Sequence, residues 1–460
     1  MPVNSFENYP MSWKPVLLRG KQPLYLALAE RLEEDIRLGK LLPGAKLPPQ
    51  RELADFLDVN LSTVTRAFRL ANRKGLIGGS VGSGTFVSYD ALSSRPTDAQ
   101  ALIDLGSVMP EPGDFREILS ILKKMMSEPD FGALFGYGAS IARDWQREAA
   151  ARRMAKAGFA ADPACLLTAN GAQNALAAIL AGLFEPGDRI GVDPLTYPGV
   201  KNLAKMLGIT LVPVEQCAGE MSEEGIAHAA RAGRIRALYI MPDYQNPTTH
   251  TLSLHGRESL ARAARKWDLL ILEDAVHSLL NPSPLPAVAS FAPERTLYIA
   301  GLSKTVLPGL RLSHIAVPPR LFPAVSEALA NLNLTVSPFL LELASRVIAS
   351  EQADRITAAL REKTRARNRL VNRILADFRV LGAPECIFRW LLLPDGWGSE
   401  SFESLAEQRG VQVYGAHRFA VGAARPVEAV RLAIGAPKDL SELEQALLTL
   451  RDLLGSRPSA

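Results

Sequence analysis

Apolar positions near the start of the chain follow helical spacing. Leucine or isoleucine recurs every four residues across 24–36 with charges between, which predicts an amphipathic helix. Two further helices are predicted at 49–57 and 61–74, joined by a tight connection. Two short strands are predicted at 76–77 and 85–87, around a glycine-rich turn. Three helices and a hairpin predict a winged helix-turn-helix, whose third helix would enter the major groove of DNA.

Beyond about residue 115, short apolar runs alternate with helical stretches, which predicts an α/β domain with a mostly parallel sheet. Several polar residues stand just after these apolar runs, and open α/β sheets bind ligands at that edge. The candidate strands are 166–168, 189–192, 210–214, 237–241, 269–272 and 297–300.

Length and composition limit the class of protein. At 460 residues the chain should hold two or three domains, and 47% apolar with 22% charged residues is globular. No apolar run reaches the roughly 18 residues of a membrane span, and the first residues lack a signal peptide pattern. Three scattered cysteines favour a reducing, cytoplasmic setting, and six histidines without ligand spacing predict no metal.

The positive charge is concentrated at the N-terminus. Residues 11–90 carry an excess of four basic residues, which equals the net charge of +4 of the whole chain. A basic small domain before a neutral large one indicates nucleic acid at that end. We therefore predict a DNA-binding domain at 1–88 with its core at 21–87, a linker at 89–115 rich in Ser, Asp and Ala, and a large domain at 116–460.

The third helix carries short polar side chains and no acid, which suits contact with phosphates and base edges. The alternative is a helical bundle whose basic face is only solvated. The candidate DNA-binding residues are Arg51, Asn60, Ser62, Thr63, Thr65, Arg66, Gly82 and Gly84.

The stretch that organises the large domain is Leu302-Ser303-Lys304-Thr305, directly after a buried strand. A lysine there can be partly desolvated, which lowers its pKa and frees the amine to attack a carbonyl. Ser303 and Arg311 suit a phosphate ester. Together these groups suggest pyridoxal 5'-phosphate (PLP), although a lone lysine is more often a solvated surface residue.

Other strand ends supply partners for such a cofactor. Asn170-Gly171-Ala172-Gln173 opens a helix and can expose N–H groups to a phosphate, and Tyr197 can stack on an aromatic ring. Asp274 can pair with a ring nitrogen, and Arg431 can clamp a carboxylate. Taken singly, each has a structural alternative as a packing, turn or capping residue.

The N-terminal segment resembles the GntR-type DNA-binding domain. The similar stretches are Leu42-Pro43-Gly44-Ala45-Lys46-Leu47-Pro48-Pro49-Gln50-Arg51-Glu52-Leu53-Ala54, Ser62-Thr63-Val64-Thr65-Arg66-Ala67-Phe68 and Gly82-Ser83-Gly84-Thr85-Phe86-Val87. The resemblance implies DNA contacts by Arg51, by the polar start of the third helix and by the wing glycines. Leu61 departs from it, because many relatives carry a DNA-contacting arginine there.

The large domain resembles fold-type I PLP enzymes, and the whole chain is similar to MocR-type transcriptional regulators. The resemblance implies that Lys304 forms a Schiff base with PLP, Asp274 pairs with the pyridine nitrogen and Asn246 bonds the phenolic oxygen. It further implies that Tyr197 stacks on the ring and that Arg431 binds an effector or substrate carboxylate. The resemblance also implies a homodimer. The phosphate would be held by Ala172, Gln173, Ser303 and Arg311, with Tyr137 reaching that of the neighbouring subunit.

Three departures from the PLP enzymes stand out. His277 occupies the position of a tyrosine that bonds the phenolic oxygen, Thr249 replaces a glycine, and Ala142 replaces another. We expect PLP to bind, with an altered pKa of the Schiff base because a histidine donor differs in acidity from a phenol.

Three functions remain open from the sequence. The first is a transcriptional regulator that binds double-stranded operator DNA and senses an amino compound through PLP. The second is a working aminotransferase with a DNA-binding domain, and the third is a sensor of PLP itself. The sequence does not identify the effector, the operator or the sign of regulation.

Overall fold

The computed structural model describes residues 12–17, 22–80, 84–89, 91, 102–111, 115–138, 142–423 and 426–456. The chain divides into two compact units, Met1–Ala101 and Leu102–Ala460. Each unit has hydrophobic clusters of its own. The predicted fold class, a winged helix-turn-helix followed by a large α/β unit, is confirmed.

The first unit is a three-helix winged fold. Its elements are α1 Leu24–Arg37, α2 Gln50–Leu57, α3 Leu61–Arg73, β1 Ile77–Ser80 and β2 Gly84–Val87. The strands β1 and β2 pair antiparallel, with Ile77 opposite Val87. Gly78 and Gly79 lie between the two predicted strands, but in the structure they extend β1.

Helical periodicity explains how the first unit packs. The apolar face of α3 is Val64, Ala67, Phe68 and Ala71, and all four are buried as their spacing requires. From α1, Leu28, Leu32 and Ile36 are buried against the same cluster. The polar face of α3 is thereby turned away from the core.

The second unit alternates strands and helices. Its first half contains β3 Ile103–Asp104, α4 Arg116–Met126, α5 Asp144–Lys156, β4 Leu166–Ala169, α6 Ala172–Leu183, β5 Arg189–Val192, α7 Pro198–Met206, β6 Thr210–Pro213, β7 Gln216–Cys217, β8 Glu220–Met221, α8 Glu223–Arg231 and β9 Ala237–Ile240. It continues with α9 Leu254–Lys266, β10 Leu270–Asp274, α10 Val288–Phe291, β11 Thr296–Gly301, β12 Ser313–Ala316, α11 Phe322–Asn333, α12 Pro338–Ala349 and α13 Gln352–Ile374. The last elements are β13 Val380–Leu381, β14 Arg389–Leu392, α14 Ser399–Gln408, β15 Val411–Gln412, β16 Tyr414–Gly415, β17 Ala429–Leu432 and α15 Leu440–Gly455.

Seven strands form the main sheet, in the order β4-β12-β11-β10-β9-β5-β6. Neighbouring strands run parallel except for β12, which is antiparallel to both β4 and β11. The central strands are apolar on both faces because separate hydrophobic clusters cover the two sides of the sheet. One cluster contains residues of α6 and α7, and the other contains residues of α8 and α9.

A smaller antiparallel sheet, in the order β13-β14-β17-β16, follows the long helix α13. Its apolar residues join α13, α14 and α15 in a third cluster that includes Val430, Leu432 and Phe402. This sheet matters for the site because β17 carries Arg431.

The second unit begins at Leu102, inside the range that composition assigned to the linker. The strand β3 pairs with β15, so residues 103 and 104 are built into the unit. Residues 92–101 and 112–114 lie outside the described part of the chain, and the linker itself stays a prediction. Among the helices of the described residues, none is both long and apolar enough to cross a membrane.

Candidate ligand cavity and nucleic-acid interface

A cavity of about 510 Å³ opens where strands of the main sheet reach their carboxyl ends. The loops after β4, β5, β9, β10 and β11 converge there, as open α/β sheets require. With the exception of Tyr137, every predicted cofactor or effector residue lines it: Ala172, Gln173, Tyr197, Asn246, Asp274, His277, Ser303, Lys304, Arg311 and Arg431.

Lys304 follows β11 and turns its amine into this cavity. Its Nζ donates a hydrogen bond to the backbone oxygen of Val108. Burial, together with the nearby cations Arg431 and Arg311, lowers the pKa of Lys304 to about 8, against the opposing charge of Asp274. The amine is therefore more often neutral near pH 7 than an ordinary lysine, which is the state that attacks a carbonyl.

Asp274 is the last residue of β10 and has one oxygen left unpaired. The hydroxyl of Tyr239 donates to Oδ2 at 2.9 Å. Oδ1 is buried and has no hydrogen-bond partner among the described residues. Burial raises the pKa of Asp274 to about 6, although the Tyr239 hydrogen bond opposes this. A buried carboxylate oxygen without a donor is costly, which suits a site whose donor arrives with a ligand.

Asn246 and Arg431 are joined across the cavity. Nη1 of Arg431 donates to Oδ1 of Asn246 at 2.6 Å, and Nη2 donates to the backbone oxygen of Gly106. Because Oδ1 is the acceptor, the amide Nδ2 of Asn246 remains a donor. Burial lowers the pKa of Arg431 to about 10, so the guanidinium keeps its charge at neutral pH. Its Nε is buried and unpartnered within the described residues.

His277 also lines this cavity and is buried, with 2% of its surface exposed. Its Nδ1 lies 3.1 Å from the backbone oxygen of Tyr244, and its ring centroid lies 5.3 Å from that of Phe388. Burial, together with the positive charge of Lys304, lowers the pKa of His277 to about 3. The imidazole is therefore neutral.

The opposite end of the cavity is formed by the first turn of α6. Gly171 precedes it at φ 84°, and a Cβ there would lie 3.0 Å from Nη2 of Arg311. Gln173 donates to the backbone oxygen of Gly199 at 3.0 Å, while its Oε1 is buried without a partner among the described residues. The exposed N–H groups of a helix start beside a guanidinium form an anion-binding arrangement.

Thr249, which replaces a glycine of the similar enzymes, lies at φ 65°. This left-handed region favours glycine and is unusual for a β-branched residue. The turn therefore holds Thr249 in a backbone conformation that glycine adopts more easily. The turn is held by the N–H of Thr249 donating to the oxygen of Gln245 at 2.7 Å.

Tyr137 does not line the cavity of its own chain. It is 92% exposed and follows the exposed Phe135. Its predicted role, contact with the phosphate of a neighbouring subunit, stays a prediction.

Several residues at the cavity were missed by sequence reasoning. These are the hydroxyl donor Tyr239, the Val108 oxygen that accepts from Lys304, and Tyr414, which lines the cavity near Arg431. Tyr239 had a signal, because a tyrosine within an apolar strand needs a partner for its hydroxyl. The role of Val108 had none, since any residue supplies a backbone oxygen.

In the first unit, the predicted DNA-binding side chains differ in their local roles. Asn60 caps α3 by accepting from the N–H of Ser62 at 2.9 Å. Thr65 donates its hydroxyl to Oε1 of Gln50 at 2.8 Å. The guanidinium of Arg66 lies 4.1 Å from the ring centroid of Tyr25. Gln50, which the sequence analysis did not single out, therefore stands beside the third helix.

The remaining DNA-binding candidates are exposed or lie outside the described residues. Arg51 and Ser62 are exposed, and Thr63 is half-buried. Gly84 begins β2 at φ 104°, where a Cβ would lie 2.9 Å from Cε of Lys46. Gly82 lies outside the described residues. Leu61, at the position of the arginine in relatives, is 40% exposed.

Comparison with known proteins agrees with both halves of this structure. Residues 102–450 match the family of class I and II aminotransferases, and residues 24–87 match the bacterial regulatory proteins of the gntR family. The chain is 49% identical over 458 residues to the uncharacterised HTH-type transcriptional regulator YdeF of Bacillus subtilis, covering 99% of each chain.

More distant similarities point the same way. Over 342 residues the chain is 26% identical to the "Probable rhizopine catabolism regulatory protein MocR" of Rhizobium meliloti, covering 67% of this chain and 68% of that one. The kynurenine aminotransferase of Pyrococcus horikoshii, solved in complex with PMP, shares the fold with a TM-score of 0.72. That similarity covers 81% of this chain and 98% of the enzyme at 20% identity.

The chain therefore belongs to the class I and II aminotransferase family as a MocR-type member, a transcriptional regulator in which a gntR-family DNA-binding domain precedes an aminotransferase-like domain.

Proposed function

We propose that the cavity of the second unit binds PLP covalently at Lys304 and that an amino compound reacting there changes the affinity of the first unit for DNA. The observation that supports this best is the pairing of two complementary groups in one cavity. Lys304 has an amine of lowered pKa, and Asp274 has a buried carboxylate oxygen to which none of the described residues donates.

The cavity residues fit the parts of PLP. The Lys304 amine suits its aldehyde, Oδ1 of Asp274 suits its pyridine nitrogen, and the first turn of α6 with Arg311 suits its phosphate. Asn246 can donate from Nδ2 to the phenolic oxygen, since Arg431 occupies its Oδ1. When bound, PLP supplies an aldehyde that captures amines and a ring that accepts electrons.

Arg431 supports an effector that carries a carboxylate. Its guanidinium is buried, charged and surrounded by the rings of Phe388, Tyr414 and Phe419 at 4.8 to 6.0 Å. A carboxylate would pair with this cation in place of the Gly106 oxygen. Because Arg431 also donates a hydrogen bond to Asn246, an effector bound to Arg431 would change the position of Asn246 at the cofactor side of the cavity. Regulation requires the effector to favour one of two states of the protein.

The first unit supports binding of duplex operator DNA. Its third helix has no acidic residue, an intact N-cap and exposed polar side chains at its start. The DNA affinity that comes from the Lys and Arg residues of this unit should fall as the salt concentration rises. We further propose a homodimer, in which the exposed Tyr137 of one subunit reaches the phosphate site of the other.

A second candidate function, amino acid to oxo acid transamination, is favoured by the complete set of Lys304, Asp274, Asn246 and Arg311 in one cavity. In this alternative the same residues complete a catalytic cycle. A regulator requires less of these four residues than an enzyme does, because a regulator only has to capture the amine.

The experiment combines DNA binding with spectroscopy of the full-length protein. DNA fragments selected by the purified protein are titrated with and without PLP and a panel of amino acids, while the visible spectrum is followed. We expect DNA affinity to change when an amino acid shifts the cofactor band. An unchanged affinity with steady conversion to the aminated cofactor would favour the enzyme, and a response to PLP alone would make PLP the signal.

A further inference from the structure

The tautomer of His277 is fixed by its backbone partner. Nδ1 lies 3.1 Å from the carbonyl oxygen of Tyr244. A carbonyl oxygen can only accept a hydrogen bond, so Nδ1 must carry the hydrogen. The second ring nitrogen, Nε2, forms no hydrogen bond with any described residue.

The surroundings of His277 disfavour a second ring hydrogen. The residue is 2% exposed, and the charged groups that act on it are the cations Lys304 and Arg431. Within the described residues, no carboxylate forms an ion pair with it. A neutral imidazole has one N–H. Since that hydrogen is on Nδ1, Nε2 holds a free lone pair.

We propose that His277 acts toward the bound cofactor as a hydrogen-bond acceptor through Nε2, and not as the donor that its position suggested from the sequence. The proposal rests on the proposed function, because it concerns the phenolic oxygen of PLP. His277 lies next to the Asn246 side of the cavity, since the Tyr244 oxygen that fixes its ring is two residues before Asn246.

Asn246 and His277 then have opposite effects on the protonation of the phenolic oxygen. Asn246 donates from Nδ2, which stabilises a negative oxygen, whereas His277 accepts, which favours an oxygen that keeps its hydrogen. With PLP bound at Lys304, a hydrogen that the phenolic oxygen keeps toward His277 would not be available to the Lys304 nitrogen. A tyrosine at this position would donate its hydroxyl and favour the negative oxygen.

The first test reads the tautomer without any cofactor. Full-length protein labelled with ¹⁵N at histidine is studied by two-bond ¹H–¹⁵N correlation, and His277 is assigned by its loss in His277→Asn and by contact with the Phe388 ring. We expect a neutral ring with hydrogen on Nδ1 from pH 6 to 8. A ring with hydrogen on Nε2, or a charged ring, overturns the proposal.

The second test reads the cofactor in wild type, His277→Tyr and His277→Asn after loading with PLP. Asparagine can keep the hydrogen bond to Tyr244 while lacking Nε2. We expect the wild type to show the larger share of the near-ultraviolet band, which reports the neutral phenol. Both variants should shift toward the visible band, His277→Tyr by the larger amount. Equal band ratios in all three proteins overturn this inference while leaving PLP binding intact.

The two proposals fail in different ways. A wild type without any cofactor band contradicts the proposed function, and with it the role of His277 toward PLP. A normal wild-type band with an Nε2–H ring contradicts only the inference about His277.

Discussion

At the scale of single residues, the chemistry of the cavity depends on how burial and neighbouring charges shift the pKa values of a few side chains. Lys304, Asp274 and His277 carry displaced pKa values in one cavity, each with burial as the main cause. Such clustering is typical of functional sites.

The rate of PLP capture by the apoprotein should depend on pH through Lys304. Only the neutral amine attacks, so the rate should rise as pH increases through about 8, the lowered pKa of Lys304. Arg431→Gln removes one of the cations that lower this pKa, so the midpoint should move to higher pH. Arg431→Lys keeps the charge and should leave it nearly unchanged. Stopped-flow absorbance measures both, and equal midpoints for Gln and wild type would refute the assignment.

Loss of the Tyr239 hydroxyl should destabilise the protein in a pH-dependent way. In Tyr239→Phe, Oδ2 of Asp274 loses its donor, at a cost of about 1–3 kcal/mol when the carboxyl is charged. The pKa of Asp274 is already raised to about 6, and its protonated form favours folding below pH about 4. In the wild type, that contribution to the free energy of unfolding is lost as pH rises through 6. In Tyr239→Phe the missing hydrogen bond raises the pKa of Asp274 further, so the loss extends to higher pH.

Urea unfolding of the apoprotein at pH 5 and pH 8 tests this prediction. The free-energy gap between wild type and Tyr239→Phe should be larger at pH 8, where the bare carboxylate is charged. Tyr298→Phe is a control, because Tyr298 is as buried as Tyr239 but its hydroxyl does not donate to Asp274 within the described residues. A gap that does not change with pH would contradict the role of Tyr239.

At the scale of elements, the third helix of the first unit depends on its start. The Asn60 side chain caps α3 through the Ser62 N–H. Asn60→Ala should lower the free energy of unfolding of this unit by about 1 kcal/mol, whereas Asn60→Asp should keep the cap. With non-specific duplex DNA, Asp should nevertheless weaken binding because it adds negative charge beside phosphates. Anisotropy and thermal unfolding separate the two effects, and equal stability for Ala and wild type would exclude the cap.

Periodicity located the elements of this protein better than their ends. The predicted strand at 189–192 is β5 without change, because its apolar run is bounded by charged and proline-containing turns. The strand predicted at 269–272 is β10 at Leu270–Asp274, since two acidic residues extend it. Their burial is explained only by distant partners, such as the Val288 and Ala289 N–H groups that bind Glu273. Local sequence does not reveal such partners.

In the site, too, local sequence predicts some features, whereas others depend on partners that are distant in sequence. Lys304, Asp274 and Asn246 could be predicted because each lies at or after the end of a strand, and a parallel sheet brings such ends together. The Val108 oxygen and the Arg431–Asn246 bond could not, since they join positions far apart in sequence. The contact of His277 Nδ1 with the Tyr244 oxygen could not be predicted either, because Tyr244 lies on another loop.

At the scale of the whole molecule, the two units have separate hydrophobic cores. Every cavity residue lies between Gly106 and Arg431, within the second unit. A fragment of residues 102–460 should therefore take up PLP with the same spectrum as the full chain, and should lose DNA binding. Titration of both proteins with PLP and with duplex DNA is the measurement. A fragment that folds by circular dichroism but shows no cofactor band would contradict this division.

The most direct measurement of the central claim is to locate PLP on the chain. Full-length wild type and Lys304→Ala are incubated with PLP, reduced with borohydride, digested and analysed by mass spectrometry. We expect a phosphopyridoxyl group on Lys304 in the wild type, with a visible band before reduction, and neither feature in the variant. Labelling scattered over surface lysines, or equal labelling of the variant, would contradict a cofactor site at Lys304.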